Sequence, residues 1–113
     1  MQSKRSLKVA EFLREEIAMV IREEVSDPKV KFVTVTKVIV SPDLKYAKVY
    51  LNILGEKEVQ QETLAALDRA TSFIRYQVGH RTKLRLVPEI RFIYDDTLDY
   101  VESIQKLIDK TKE

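Results

Sequence analysis

The chain has no cysteine, a single histidine and only two glycines among its 113 residues. Without cysteine it can form neither a disulfide nor a thiolate metal site, which is typical of a reducing, cytoplasmic setting. His80 alone offers little for general acid–base or metal chemistry at neutral pH. Gly55 and Gly79 lie too far apart for a glycine-rich phosphate loop. The sequence therefore weighs against an enzyme and predicts no cofactor, no metal site and no small-molecule substrate.

Long apolar runs are also missing, and the N-terminal residues lead into an amphipathic segment, so we expect neither a signal peptide nor a membrane partner. Hydrophobic residues make up 44% of the chain and charged residues 34%. This composition is typical neither of a disordered protein nor of a membrane protein. A chain of this length can bury about two thirds of the surface that it exposes when unfolded. We expect one domain over residues 1–113, monomeric and cytoplasmic.

The small net charge of +2 hides an uneven distribution. Residues 1–10 carry three basic residues and no acid, whereas residues 11–27 carry a net charge of −4. Residues 69–91 hold six basic residues against Glu89, a net charge of +5. Such a chain can fold into a molecule with one basic and one acidic side.

Hydrophobic spacing predicts a helix over residues 7–25, capped by Ser6 and ended by Asp27-Pro28. Residues 31–40 are rich in β-branched side chains and predict a strand. Ser41-Pro42-Asp43 predicts a turn that joins this strand to a second one over residues 44–54, in an antiparallel hairpin. Alternation in the second strand predicts one buried face and one polar face, the polar face carrying Tyr46, Lys48 and Tyr50.

The second half of the chain predicts a helix, a strand and a further helix. Periodicity alone favours one unbroken helix over residues 57–80, ended by Gly79 as a left-handed cap. A third strand is expected over residues 86–94, with Pro88 near its start or at a sheet edge. A short C-terminal helix capped by Asp96 or Thr97 is expected to carry a stripe of Leu98, Val101, Ile104 and Ile108, to dock weakly and to fray at Lys112-Glu113. Residues 95–113 are thus an appended tail.

Three short stretches identify a family by their order and spacing. Asp27-Pro28 is followed by Val33-Thr34-Val35-Thr36 and Val38. Ser41-Pro42-Asp43-Leu44 then leads to Ala47-Lys48-Val49-Tyr50. Residues 84–92, Leu-Arg-Leu-Val-Pro-Glu-Ile-Arg-Phe, are followed by Asp95. Over nearly its whole length the chain resembles the ribosome-binding factor A family, small-subunit assembly factors of bacteria.

The resemblance implies an α+β fold, a KH-like type II two-layer sandwich of order α-β-β-α-α-β with the short C-terminal helix added. The family lacks the Gly-x-x-Gly loop of ordinary KH domains, and this sequence agrees. It usually has Ala-x-Gly at a kink between its second and third helices, and the matching residues here are Ala70, Thr71 and Ser72. We therefore expect an interruption near Ala70, where Ser72 can cap the new helix.

The resemblance also implies a function. The chain would bind free small (30S) ribosomal subunits and assist late maturation and processing of 16S rRNA, without catalysis. A module that docks on a ribosomal or other protein, through its hairpin edge or acidic helix face, is the alternative. A small nuclease is a more distant one, because the chain lacks a metal or general-base cluster.

Basic residues are the candidates for RNA contact, since they can bind phosphate and arginine can stack on bases. Solvated surface charge is the competing explanation, and ordinary cross-strand packing is the favoured one for Tyr46 and Tyr50. For His80 we expect a structural or RNA-facing role. The candidates are Arg75, Arg81, Lys83, Arg85 and Arg91, then Lys37, Lys45 and Lys48, and finally Lys4, Arg5 and Lys8.

Overall fold

The computed structural model describes residues 3–30 and 32–111, apart from the side chains of residues 98–102 and 111. The elements found there are α1 (Lys4–Glu24), β1 (Val33–Val40), β2 (Tyr46–Ile53), α2 (Lys57–Arg69), α3 (Thr71–Arg81), β3 (Glu89–Tyr94) and α4 (Thr97–Thr111), with a 3-10 turn at Pro28–Val30. The strands lie in the order β1-β2-β3, with β1 and β2 antiparallel and β2 and β3 parallel. The α+β, KH-like fold is confirmed.

The core lies between one face of the sheet and the helices. Alternate residues of β2 are buried while Tyr46 and Lys48 between them are exposed, so the helices cover one face only. Leu13 and Ile17 of α1 and Leu67 of α2 are fully buried against this face. Burial of apolar surface at about 25 cal/mol per Å² is the main stabilising term for such a sandwich. The second sheet face remains open to a partner.

Helix α1 begins earlier than the hydrophobic spacing predicts. Ser3, not Ser6, is its N-cap, since Ser3 Oγ accepts a hydrogen bond from the Ser6 amide at 3.1 Å. The Ser6 side chain is buried and donates to the Ser3 carbonyl at 2.9 Å. The prediction of a Ser6 cap was wrong because an earlier serine satisfies the free amide of the first turn. Lys4 and Arg5 consequently lie within the helix rather than before it, and Lys8 lies within it as predicted.

The helical region after β2 is interrupted at Ala70. Its backbone, at φ −90° and ψ 1°, departs from helical geometry, and its amide bonds to the carbonyls of Ala66 and Leu67. The Thr71 hydroxyl donates to the Leu67 carbonyl at 3.1 Å. Ser72 is not a cap: α3 starts at Thr71 with no side-chain cap. Two helices therefore take the place of the single one that periodicity favours.

Gly79 does not end α3, which continues to Arg81 and is capped by Thr82. The Thr82 hydroxyl donates to the Val78 carbonyl at 2.7 Å, so the helix closes two residues after the glycine. A Cβ at position 79 would lie 3.3 Å from Val87 Cγ2. The glycine thus permits close approach of the segment before β3, and the predicted left-handed cap was wrong.

Strand β3 starts at Glu89 rather than near Leu86. Pro88 has no amide hydrogen for a sheet bond, and the carbonyls of Val87 and Pro88 accept hydrogen bonds from Arg75 instead. At the other end Asp95 accepts hydrogen bonds from the hydroxyls of Thr36 and Thr97, both at 2.6 Å. These bonds lower the pKa of Asp95 to about 2, and the bond from Thr36 has the largest effect. Asp95 therefore ties the start of α4 to β1.

Helix α4 packs little against the sandwich. Ile104 and Ile108 are 39% and 42% exposed, and no extensive packing joins α4 to another helix or strand in the described part of the chain. The side chains of Leu98 and Val101, which belong to the predicted apolar stripe, lie outside the described residues, as does the predicted fraying at Lys112-Glu113.

Candidate nucleic-acid interface

A groove of about 610 Å³, the end groove, lies where the start of α1, the β1–β2 turn and the segment before β3 meet. It brings together cationic side chains that are far apart in sequence: Arg5, Lys45, Arg75 and Arg85. Leucines, a valine and two prolines provide its apolar surface, and Asp43 and Glu89 are its acids. The lining is Arg5, Pro42, Asp43, Leu44, Lys45, Tyr46, Arg75, Leu84, Arg85, Leu86, Val87, Pro88 and Glu89.

The β1–β2 turn is held by its own side chains. Asp43 Oδ1 accepts hydrogen bonds from the Ser41 hydroxyl at 2.6 Å and from the Lys45 amide at 3.0 Å, and the Ser41 bond is the main reason that the pKa of Asp43 is lowered. Leu44 adopts a left-handed φ of 62°. Because the Asp43 carboxylate already accepts these two hydrogen bonds, it competes less with a bound anion for the cations of the groove. Lys45 next to it stays exposed.

Arg75 fixes the opposite wall of the end groove. Its Nε donates to the Pro88 carbonyl at 3.0 Å and its Nη2 to the Val87 carbonyl at 2.8 Å. This fork anchors the segment that carries Arg85 and Leu86, a leucine that is 84% exposed. Arg75 thus shapes the groove through its internal bonds, whereas Arg5, Lys45 and Arg85 present exposed side chains at its rim.

Arg81 lies apart from the end groove, against α1. Its Nε is 3.5 Å from a carboxylate oxygen of Glu16, and its Nη1 is 3.8 Å and 3.9 Å from those of Glu24 and Glu23. It also contacts Met19 Sδ. The guanidinium is therefore surrounded by carboxylates and joins the end of α3 to α1. Sequence reasoning grouped it with Arg85, but the fold directs it to the acidic side of the molecule.

The uncovered sheet face, here the open face, carries a second group of candidates. Lys48 of β2 lies between Ile39 of β1 and Arg91 of β3, and the next row along the strands is Lys37, Tyr50 and Ile93. Lys37 Nζ is 4.6 Å from the centre of the Tyr50 ring, a cation–π contact. Tyr46, which is 57% exposed, joins the open face to the end groove. Lys37, Lys48 and Arg91 therefore share one surface.

The remaining candidates surround these two surfaces. Lys4 and Lys8 are exposed on the first turns of α1 beside Arg5, and Lys83 is exposed two residues before Arg85. Sequence reasoning missed the apolar part of the end groove, formed by Leu44, Leu84 and Leu86. Leu84 and Leu86 alternate with Lys83 and Arg85, an apolar–basic pattern that could have indicated a surface loop with two chemistries.

Among the described residues, no His, Asp or Glu side chains form a group that could hold a metal ion. A search of the described helices finds none that is both long and apolar enough to cross a membrane.

A KH-like α+β domain with basic residues gathered at one end and on one sheet face is the class of protein that the fold and the site define. The family model for ribosome-binding factor A matches residues 5–108. The chain belongs to the ribosome-binding factor A family. It is 47% identical to ribosome-binding factor A of Natranaerobius thermophilus over 108 residues, which is 96% of this chain and 82% of that protein.

Solved structures agree with this assignment. The crystal structure of ribosome-binding factor A from Thermus thermophilus superposes with a TM-score of 0.69 at 26% identity, covering 79% of this chain and 94% of that one. A homology model of the Thermus thermophilus factor, fitted into a cryo-EM map of a complex with the 30S subunit, superposes with a TM-score of 0.65 at 27% identity. That match covers 76% of this chain and 90% of the fitted one.

Proposed function

We propose that this protein binds free 30S subunits and assists late maturation and processing of 16S rRNA, as a cytoplasmic, monomeric factor without a catalytic step. Its basic surface, made of the end groove and the open face, contacts the rRNA. Binding would favour one rRNA conformation over others, because a ligand shifts an equilibrium toward the state that it binds more tightly. No bond in the RNA needs to be made or broken by this chain.

One observation carries the RNA proposal: the end groove gathers Arg5, Lys45 and Arg85 from three separate parts of the chain. Scattered surface lysines and arginines would be ordinary, but three exposed cations converging on a single concave surface suit the closely spaced phosphates of a nucleic-acid strand. Arginine adds bidentate contact with phosphate. The apolar leucines beside them can contact a base or sugar.

The choice of the 30S subunit as partner is supported by family membership and by the similar Thermus thermophilus factor fitted in a map of its 30S complex. The protein-docking alternative predicts binding that depends little on salt. Phosphate contacts predict the opposite, since each neutralised phosphate releases counterions and steepens the fall of affinity with salt.

The test is a salt titration of binding to purified 30S subunits by the wild type and Arg85→Glu. We expect the variant to bind about tenfold more weakly at low salt, and its slope of log affinity against log salt to be shallower by about one. Lys57→Glu is the matched control, because Lys57 is exposed and follows β2 at the end of the sheet opposite the β1–β2 turn.

Two results would contradict the proposal. Affinity that does not change between low and moderate salt would exclude phosphate contact. A combined Arg5→Glu, Lys45→Glu and Arg85→Glu variant that is folded and binds like the Lys57→Glu control would exclude the end groove.

A further inference from the structure

The solvent side of α3 carries three aromatic rings, the α3 strip: Phe73, Tyr76 and His80. Phe73 is 42% exposed and Tyr76 is 66% exposed, both high values for large rings. The Tyr76 and His80 rings are stacked, with centroids 5.9 Å apart and an angle of 7° between their planes. None of the surfaces described above includes these residues.

Helix geometry explains why the rings share one side. Residues three and seven positions after Phe73 return to within about 60° of it, at about 100° per residue. Ile74 and Val78, which fix α3 to the core, are fully buried on the other side. The rings therefore add little to the core, and their exposure is a property of the surface that α3 presents.

The chain around the α3 strip is cationic. Residues 69–88 contain no aspartate or glutamate and include the exposed Arg69, Lys83 and Arg85. Glu16, Glu23 and Glu24 of α1 approach the end of α3, and these three face Arg81. A flat aromatic surface on a stretch of chain that is rich in basic residues is complementary to a strand that alternates planar bases with phosphates.

We propose that the α3 strip stacks with unpaired bases of the bound RNA, Tyr76 being the principal platform and His80 its support. This inference rests on the proposed RNA binding and adds the class of RNA: single-stranded segments. Bases within a duplex are already stacked on one another, and their faces cannot reach a protein ring. An apolar protein partner would be a poorer match for rings on a stretch of chain, residues 69–88, that has several basic residues and no aspartate or glutamate.

The experiment measures fluorescence anisotropy of a labelled single-stranded RNA of about ten nucleotides, and of a duplex of equal length, with the full chain. We expect Tyr76→Ala to weaken single-strand binding about tenfold, the loss of one stacked base, and duplex binding less than about twofold. Tyr76→Phe keeps the ring and should bind much like the wild type. Phe32→Ala is the matched control, since Phe32 is 63% exposed at the far end of the sheet.

The salt slope separates stacking from charge. Tyr76→Ala should leave the slope unchanged because it removes no cation, whereas Arg85→Glu should reduce it. If Tyr76→Ala binds the single strand like the wild type while Arg85→Glu is impaired, the α3 strip is not a base platform and the RNA-binding function stands. If both variants bind RNA normally, the α3 strip is not a base platform, and the contact of Arg85 with phosphate is excluded as well.

A third outcome points to a different partner. Normal binding of the oligonucleotide by Tyr76→Ala, combined with weaker binding to purified 30S subunits, would place a ribosomal protein on the α3 strip and overturn the inference. Because Tyr76 is mostly exposed, the variant should unfold at the same urea concentration as the wild type, so weak binding would not reflect misfolding.

Discussion

Arginine side chains on this molecule differ in what surrounds each guanidinium. Arg75 donates to two main-chain carbonyls, Arg81 meets three carboxylates, and Arg85 is exposed at the rim of the end groove. Only an uncommitted guanidinium can give its full set of donors to phosphate. At the scale of single residues, therefore, we expect Arg85 to contact RNA, while Arg75 positions the groove wall and Arg81 connects two helices.

Replacing Arg75 by lysine tests this division. Lysine keeps the charge but loses the planar fork that reaches the carbonyls of Val87 and Pro88, so we expect the free energy of unfolding to fall by about 1–2 kcal/mol. Urea unfolding monitored by circular dichroism measures the change. Unchanged stability together with weaker RNA binding at an unchanged salt slope would show instead that the Arg75 fork contacts phosphate directly.

At the scale of elements, the link between β3 and α4 depends on one carboxylate. Asp95 continues the sheet, its amide donating to the Leu51 carbonyl at 2.7 Å, while its side chain binds Thr36 of β1 and Thr97 of α4. Thr36 is available because a bulge between Val35 and Lys37 takes it out of the β1–β2 pairing. An irregularity in one strand thus fixes the start of a distant helix.

The link should weaken in acid. The pKa of Asp95 is depressed to about 2 from 3.8, so its bonds stabilise the fold fully above the unfolded value and are lost as pH falls toward the folded one. We expect the wild type to exceed Asp95→Asn by about 1 kcal/mol in free energy of unfolding near neutral pH, and by less at about pH 3. Urea unfolding of both proteins at both pH values gives this difference. The other carboxylates are common to the two proteins, so their titration cancels in the difference.

Asp96→Asn is the matched control, because Asp96 is exposed and adjacent. It should show the same small difference from the wild type at both pH values. A difference between the wild type and Asp95→Asn that does not vary with pH would mean that the Asp95 carboxylate is not the stabilising group.

Elements were predictable from the sequence to different degrees. The hairpin of β1 and β2 follows from β-branched residues and the Ser41-Pro42-Asp43 turn, both local signals, and the structure has it close to the predicted bounds. The break at Ala70 has no signal in hydrophobic spacing and came only from the family resemblance. The end of α3 was misplaced because Gly79 serves tertiary packing against Val87, a contact that local rules do not contain.

At the scale of the whole molecule, charge is divided between surfaces. The end groove and open face carry Arg5, Lys45, Lys48 and Arg85, whereas Glu16, Glu23 and Glu24 of α1 lie near Arg81 at the end of α3. Alternating charge along the sequence predicted two sides, but not which cations share a surface. Which cations share a surface depends on the parallel pairing of β3 with β2, because this pairing brings Arg91 beside Lys48.

Removing residues 98–113 tests how far α4 contributes to the sandwich. We expect the free energy of unfolding to change by less than about 1 kcal/mol, because α4 shares no extensive packing with the other described elements and Thr97 remains to bind Asp95. Urea unfolding of the shortened chain is the measurement. Loss of a cooperative transition would show that α4 belongs to the core.

The parallel pairing of β3 with β2 also determines at which stage of synthesis the end groove can form. The chain must pass through α2 and α3 before β3 can return beside β2, and the end groove has walls from residues 5, 42–46 and 84–89. A ribosome makes the N-terminal part first, so a nascent chain ending within α3 has Arg5 and Lys45 but lacks the Arg85 wall. The complete groove therefore forms only after residues 84–89 have been made and lie beside the β1–β2 turn, so a shorter nascent chain lacks the surface proposed to bind RNA.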